Sequence, residues 1–201
     1  MKANAPLRAA ELRADLAGCR IGRELHLLET TPSTNDALTE RITGDTIWGL
    51  VVLAETQTAG RGQRGNRWES APRQGLWLSI LLRPEIALAD SPQLTRWAAK
   101  TVRDFIVSAC ALPAETKMPN DVLVRGRKVA GVLVEMRAQR ARPHVAILGI
   151  GLNVNQAPED FSVPLRATAT SLAIEAKRVF DRTKLVSALL RALYATYEFG
   201  D

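Results

Sequence analysis

Apolar residues recur along the chain at two different spacings. Residues 7–18 and 181–197 carry them three and four positions apart, which predicts amphipathic helices. The same spacing is clearest in residues 91–112, where Ser91 is expected to cap the helix and Pro92 to occupy its first turn. Three further stretches are continuously apolar and rich in β-branched residues, and they predict buried strands. They are residues 46–56, 75–84 and 144–155.

Residues 121–138 alternate between apolar and polar positions on both sides of Arg125 and Gly126. This pattern is typical of a β-hairpin with a two-residue turn. A short helix is expected after the cap candidates at 33–35. Strand-turn-strand units outnumber strand-helix-strand units, so the pattern predicts an α+β domain. We expect a mixed, mainly antiparallel sheet with helices packed on one face.

Composition narrows the class of protein. A chain of 201 residues suits one domain, and a formal net charge of +6 permits a nucleic-acid partner without requiring one. No stretch approaches the roughly 20 consecutive apolar residues of a membrane span, and the first 20 residues lack the apolar core of a signal peptide. Cys19 and Cys110 have no metal-ligand spacing and suit free thiols. We therefore expect a cytoplasmic protein without a membrane partner.

The segment 58–68, TAGRGQRGNRW, fits the glycine pattern G-x-G-x-x-G. A dinucleotide fingerprint needs a helix directly after the glycines, and Pro72 opposes one. A kinase loop would require H-R-D and D-F-G motifs, which this sequence lacks, and no P-loop motif occurs. A disordered Gly-Arg segment would not lie between two apolar strands. The remaining interpretation is a loop between strands that binds an anion through backbone N–H groups and arginines.

Three arginines in this loop, Arg61, Arg64 and Arg67, have no acidic neighbour within it. Their mutual repulsion predicts a loop that stays mobile until an anionic ligand orders it, as a lid would. The alternative is a solvated cationic hairpin loop that binds nothing.

Polar residues in two later motifs add candidate chemistry. Lys117 in KMPND is a candidate phosphate partner, and Asn120 and Asp121 offer oxygens suited to Mg²⁺, although an ordinary turn is the alternative. Lys128 lies on an otherwise apolar strand, where a snorkelling edge lysine is the alternative. Gly151 lies in a buried strand and indicates either a closely approaching group or a β-bulge.

Taken in order, the motifs resemble the catalytic domain of biotin protein ligase over about residues 25–175. They are STN (33–35), ETQTAGRGQRGNRW (55–68), KMPND (117–121), RKVAGVLVE (127–135), GIGLNVN (149–155) and ATSL (169–172). The resemblance implies the biotin/lipoate ligase fold, which is similar to class II aminoacyl-tRNA synthetases. It also implies an N-terminal helical segment, residues 1–24, before a catalytic domain at 25–201.

The activity implied by the resemblance has two steps. Biotin and MgATP give biotinyl-5′-AMP and pyrophosphate, and biotin then passes to a lysine of a biotin carboxyl carrier protein. Because no winged-helix pattern precedes residue 25, we expect the form without a DNA-binding domain and no nucleic-acid partner. The resemblance allows a homodimer formed through the sheet and a further C-terminal domain.

The resemblance also implies a role for each matching residue. The expected biotin-binding residues are Ser33, Thr34, Asn35, Gln57, Gly60, Arg61, Gly62, Gln63, Lys128, Gly131 and Gly151. The expected ATP or adenylate residues are Arg64, Trp68, Lys117, Asn120 and Asn153, with Asp121 for Mg²⁺. The expected catalytic contacts are Arg61, Lys117 and Lys128. Gln63 and Met118 stand where the family commonly has arginine and tryptophan. The resemblance therefore implies that, at Gln63, one cationic contact to the adenylate is lost.

Two other functions compete with this one. A lipoate or octanoate ligase or transferase would use the related fold. A basic nucleic-acid-binding module would exploit the net charge, and it would bind in a strongly salt-dependent way.

Overall fold

One mixed β-sheet organises residues 4–43, 46–138 and 144–200, which the computed structural model describes. The strands are β1 Leu25–Thr31, β2 Val51–Gln57, β3 Gly75–Leu82, β4 Ala114–Lys117, β5 Asp121–Val124, β6 Arg127–Arg137 and β7 Val145–Asn153. The helices are α1 Ala9–Asp15, α2 Thr34–Thr39, α3 Ser91–Cys110, α4 Leu172–Ala176 and α5 Arg182–Thr196.

The strands follow the order β1-β2-β3-β7-β6-β5-β4 across the sheet. Only the pairing of β1 with β2 is parallel among the strand pairs of the described residues. Strands β5 and β6 form the expected hairpin, and its turn residues Arg125 and Gly126 have positive φ angles of 49° and 76°. The predicted α+β class with a mixed, mainly antiparallel sheet is confirmed.

The two faces of the sheet carry different helices. Alternate residues of β3, such as Leu78 and Ile80, share the main core with α1, α3 and α5. Leu81 points to the other face and packs with Ala37 and Leu38 of α2. The expectation of helices on one face therefore holds for the three longer helices and not for α2. Each fully buried leucine of these cores contributes roughly 1.5–3 kcal/mol of transfer free energy.

The element boundaries differ from the expected ones for local reasons. Strand β2 begins at Val51 rather than at 46, because Gly49 turns the chain with a φ of 91° and lies against the backbone of Arg20. Helix α3 includes Ser91, so Asp90 occupies the N-cap position expected for Ser91. Helix α5 begins after Asp181, whose carboxylate accepts two backbone N–H groups in its first turn. The pattern analysis did not anticipate β1, β4 or α4.

A buried ion pair joins the N-terminal segment to the sheet. Arg182 Nη1 lies 2.7 Å from Glu55 Oε2, and both side chains are only 2% exposed. The backbone N–H of Leu7 donates to Glu55 Oε1 at 2.6 Å, and Arg182 donates to the carbonyl of Ala5 at 2.7 Å. The segment before β1 thus packs into the same core as α3 and α5.

Among the helices of the described residues, none combines the length and apolarity needed to cross a bilayer.

Candidate active site

A cavity of about 310 Å³ opens on the α2 face of the sheet, below the loop at 58–68. It gathers most of the residues that the sequence motifs predicted for a site, from five separate parts of the chain. They are Ser33, Thr34, Asn35, Gln57, Arg61, Gly62, Gln63, Arg64, Trp68, Asn120, Asp121, Lys128, Gly131 and Gly151.

A second cavity of about 290 Å³ adjoins the first. The two cavities share Arg67, Trp68, Asp121 and Lys128, so these side chains stand at their junction. Lys117 and Asn153 line the second cavity and not the first. Gly60 lines neither of these two cavities.

Gly60 instead allows the loop to close on itself. A Cβ atom at this position would lie 2.8 Å from the carbonyl oxygen of Trp68. The N–H of Trp68 donates to the carbonyl of Gly60 at 2.9 Å, and the N–H of Gly62 donates to Asn66 at 2.7 Å. Gly65, at a φ of 77°, completes the turn. The glycine pattern therefore shapes a tight hairpin between β2 and β3.

Buried polar groups line one end of the first cavity. The N–H and hydroxyl of Thr34 donate to Gln57 Oε1 at 2.8 and 3.1 Å. Ser79 Oγ lies 2.5 Å from Asn35 Oδ1, and Asn35 Nδ2 donates to Glu135 Oε2 at 2.6 Å. Hydrogen bonds of this kind fix the orientation of buried amides.

Sequence motifs missed Ser79 and Glu135 in this network. Ser79 is fully buried in β3 between apolar neighbours, and a lone hydroxyl within such a strand was a usable signal. Glu135 belongs to the RKVAGVLVE motif, but the motif does not show that the Glu135 side chain on β6 would contact α2.

Arg61 is held by acids from outside its own loop. Its Nη2 atom lies 2.8 Å from Asp36 Oδ1 of α2 and 3.3 Å from Glu135 Oε1 of β6. The hydrogen bond from Arg61 lowers the pKa of the Asp36 carboxyl, so the pair is charged at neutral pH. The expected self-repulsion of the loop is therefore offset for Arg61 by the tertiary structure. The mobility of the loop stays a prediction.

Two glycines make room for the indole of Trp68. A Cβ atom on Gly151 would lie 2.4 Å from Trp68 Cε2, and one on Gly131 would lie 2.9 Å from Trp68 Cζ3. The two glycines pair directly between β6 and β7 in an unbroken register, so the β-bulge alternative is wrong. Trp77, by contrast, is fully buried in the core.

Lys128 lies in the interior of the sheet, so the edge-lysine alternative is wrong. Its Nζ atom is 2.6 Å from Asp121 Oδ1 and 5.3 Å from the centre of the Trp68 ring. A cation in this position balances one carboxylate and faces both cavities. Asn120 Nδ2 donates to the carbonyl of Val132 at 3.1 Å, which fixes the turn before Asp121.

The expected Mg²⁺ role of Asp121 finds limited support in the residues present. The Asp121 carboxylate is paired with Lys128. Within the described ranges, no three His, Cys, Asp or Glu residues cluster as metal ligands. A Mg²⁺ ion held through one carboxylate would depend on substrate phosphates for its other ligands, which is the binding mode this ion favours.

Asn153 and Lys117 differ in how they meet the second cavity. The Asn153 side chain is buried; its Nδ2 donates to the carbonyl of Thr170 at 3.0 Å, and its Oδ1 accepts from Gln156 at 2.9 Å. Both ends of the amide are therefore engaged by the chain after β7. Lys117 is exposed at the end of β4, where its ammonium group is accessible to an anion.

Comparisons with known proteins agree with this geometry. The family model for the biotin/lipoate A/B protein ligase family matches residues 27–153. The bifunctional ligase/repressor BirA of Bacillus subtilis is 37% identical over 191 residues, which are 95% of this chain and 59% of that protein. The biotin–[acetyl-CoA-carboxylase] ligase of Mycobacterium tuberculosis is 42% identical over 200 residues, covering 94% of this chain and 70% of that protein.

A solved structure has the same fold. The biotin protein ligase of Aquifex aeolicus in complex with biotin and ATP superposes with a TM-score of 0.74 at 29% identity, covering 87% of this chain and 70% of that chain. The chain thus spans only 59% of the length of its Bacillus subtilis relative. From the family model, which covers more than half of the sequence, and from the fold, we conclude that the chain belongs to the biotin/lipoate A/B protein ligase family.

Proposed function

We propose that this protein activates biotin with ATP and transfers it to a lysine of a carrier protein. The observation that carries the proposal is the junction of two adjoining cavities, where Lys128, Trp68 and Asp121 line both. An acid in one cavity and a nucleotide in the other would meet at the Lys128 ammonium. The relatives named as biotin–[acetyl-CoA-carboxylase] ligases and the relative solved with biotin and ATP support this choice of substrates.

Biotin occupies the first cavity in this proposal. Its ring end lies against the polar network of Thr34, Asn35 and Gln57, which offers fixed donors and acceptors within a largely buried site. Its carboxylate points towards Lys128, and Arg61 would reach it on leaving Asp36 and Glu135. ATP occupies the second cavity, with its phosphates at the junction and near Lys117.

The first step needs cations rather than a general base. A biotin carboxylate oxygen attacks the α-phosphorus of ATP, the bond between the α- and β-phosphates breaks, and pyrophosphate leaves. Both reactants are anions, so their repulsion and the charge that develops on pyrophosphate must be offset. Lys128, Arg61 and Lys117 supply positive charge at the junction and at the loop, and Mg²⁺ travels with the ATP phosphates.

In the second step the acceptor amine attacks the acyl carbon of biotinyl-5′-AMP. An amide bond forms, the bond from the acyl carbon to the phosphate oxygen breaks, and AMP leaves as the amine loses a proton. The acceptor is proposed to be a biotin carboxyl carrier protein, in line with the name of the Mycobacterium tuberculosis relative.

Calorimetry with biotin, first alone and then with MgATP, tests this function. We expect biotin to bind and a much tighter complex to form with MgATP. A parallel assay follows pyrophosphate release with biotin or lipoate as the acid. Release with lipoate only would select the lipoate or octanoate alternative. Absence of any biotin binding, combined with strongly salt-dependent binding of RNA or DNA, would select the nucleic-acid alternative.

A further inference from the structure

A buried carboxylate outside both cavities lies beside the turn that precedes Lys128. The side chain of Glu175, in α4, is only 3% exposed. Arg125 Nη1 lies 2.6 Å from its Oε2, while Arg127 Nη2 and Thr170 Oγ1 donate to its Oε1 at 2.6 and 2.7 Å. Burial raises the pKa of Glu175, but these hydrogen bonds outweigh it and lower that pKa below its usual value. Glu175 is thus ionised at neutral pH.

The turn that Glu175 holds is strained. Arg125 has a positive φ of 49°, a left-handed conformation that is strained for a residue with a side chain. Arg125 lies in this turn, and Arg127 begins β6 directly after it. One carboxylate therefore binds both the turn and the first residue of β6.

The backbone of Lys128 is hydrogen-bonded to the segment at 168–170, which Glu175 also contacts. Its N–H donates to the carbonyl of Thr168 at 2.8 Å, and its carbonyl accepts from the N–H of Thr170 at 2.9 Å. This forms a parallel bridge between Lys128 and Ala169. Glu175 binds the neighbours on both sides of the bridge, Arg127 before Lys128 and Thr170 after Ala169.

We propose that Glu175 is a positioning residue for Lys128, clamping the start of β6 to residues 168–170. The inference rests on the role given to Lys128 in the proposed function. The clamp fixes the backbone from which Lys128 reaches Asp121 and the junction of the cavities. A displacement of about 1 Å in a reacting group lowers a rate by up to roughly 100-fold. Loss of the Glu175 contacts is therefore expected to slow the reaction, although Glu175 itself does not touch the substrate.

Glu175→Gln tests the clamp because it keeps the size of the side chain and removes its charge. The side chains of Arg125 and Arg127 are 57% and 38% exposed, so water solvates them and the fold is expected to persist. We expect the kcat of biotinyl-5′-AMP formation to fall about 10- to 100-fold, with little change in the KM for biotin. Glu29→Gln, which breaks an exposed pair with Arg73, is the matched control and should leave kcat unchanged.

A double-mutant cycle separates positioning from general damage. If Glu175 acts through Lys128, Glu175→Gln should cost no further activity in a Lys128→Ala background. Fully additive losses would overturn the proposal.

Amide hydrogen exchange at Lys128 gives a second readout that does not depend on activity. The exchange should be faster in folded Glu175→Gln than in the unchanged protein. If Glu175→Gln does not fold, Arg125→Ala removes one arm of the same clamp and should also speed exchange at Lys128. If the unchanged protein makes no biotinyl-5′-AMP, the proposed function fails, and only hydrogen exchange tests the clamp. Equal protection of the Lys128 amide in Glu175→Gln and in the unchanged protein would then overturn the clamp.

Discussion

Gly151 has no room for a side chain because the indole of Trp68 lies over it; a Cβ atom there would be 2.4 Å from Trp68 Cε2. The indole also stands at the junction of the two cavities. Even an added methyl group at Gly151 should therefore displace Trp68, which lines both cavities.

Gly151→Ala should displace Trp68 and weaken adenylate formation while the sheet stays folded. The loss is expected to be on the order of tenfold or more, because the added methyl group takes space next to the reacting groups. Tryptophan fluorescence and the rate of biotin-dependent pyrophosphate release check it. Ser108→Ala is the control, since Ser108 is exposed on α3, the helix on the opposite face of the sheet. Unchanged fluorescence and rate in Gly151→Ala would contradict the position of Trp68.

Lys128→Ala should lower biotinyl-5′-AMP formation about 100- to 1000-fold, the range seen when one preorganised electrostatic contact is removed. The fold should survive, because Asp121 is 24% exposed and water replaces its partner. A matched control is Lys100→Ala, an exposed lysine of α3, the helix on the opposite face of the sheet. Near-full activity of Lys128→Ala in a single-turnover assay would remove Lys128 from the mechanism.

Arg61→Ala should also lower adenylate formation by about 100-fold or more, because it removes a charge that the anionic reactants need. Asp36→Asn should act in the opposite sense on binding. The Asp36 carboxylate competes with substrate for Arg61, and an exposed pair of this kind is worth up to about 1 kcal/mol. We therefore expect roughly two- to fivefold tighter biotin binding, measured by calorimetry. Weaker binding in Asp36→Asn would contradict the competition.

The loop at 60–68 should exchange its amide hydrogens quickly without ligand and slowly with biotin and MgATP. The anions are expected to bind Arg61 and Arg64, order the loop and protect its backbone. Hydrogen-exchange mass spectrometry on peptides covering the loop and, for comparison, helix α3 measures this. Equal protection of the loop in both states would rule out its role as a lid.

Gln63→Arg should lengthen the residence of biotinyl-5′-AMP. Gln63 lines the first cavity together with three loop arginines, and a guanidinium there adds a cationic contact to the adenylate phosphate. The release rate of biotinyl-5′-AMP is expected to fall roughly tenfold, as one charge-assisted hydrogen bond of about 1.5–3 kcal/mol would allow. Gln93→Arg, at an exposed position of α3 outside both cavities, is the comparison variant. Identical release from both variants would show that position 63 does not contact the adenylate.

Much of the secondary structure, and the family, could be predicted from the sequence alone. The hairpin turn at Arg125 and Gly126, helix α5 after Asp181, and the strands β3 and β7 follow from spacing and turn preferences that act over a few residues. The ordered motifs were sufficient to identify the family, because they carry residue types that ligand chemistry requires whatever their contacts.

Contacts between distant segments needed the tertiary structure. The strands β1 and β4 gained their places by pairing with β2 and β5, which no local pattern encodes. Asn153, expected at a nucleotide, lines the second cavity, and only the fold shows that its amide is held by Thr170 and Gln156.

Which charged side chains pair with one another also depends on the tertiary structure. The sequence places Arg61 in a loop without acids, and only folding brings Asp36 and Glu135 to it from 25 residues before and 74 residues after. Glu175 likewise reaches Arg125 and Arg127 across about 50 positions. Coulombic attraction and hydrogen bonding depend on distance in space, so a pattern along the chain specifies which groups are charged and the fold alone specifies which of them meet.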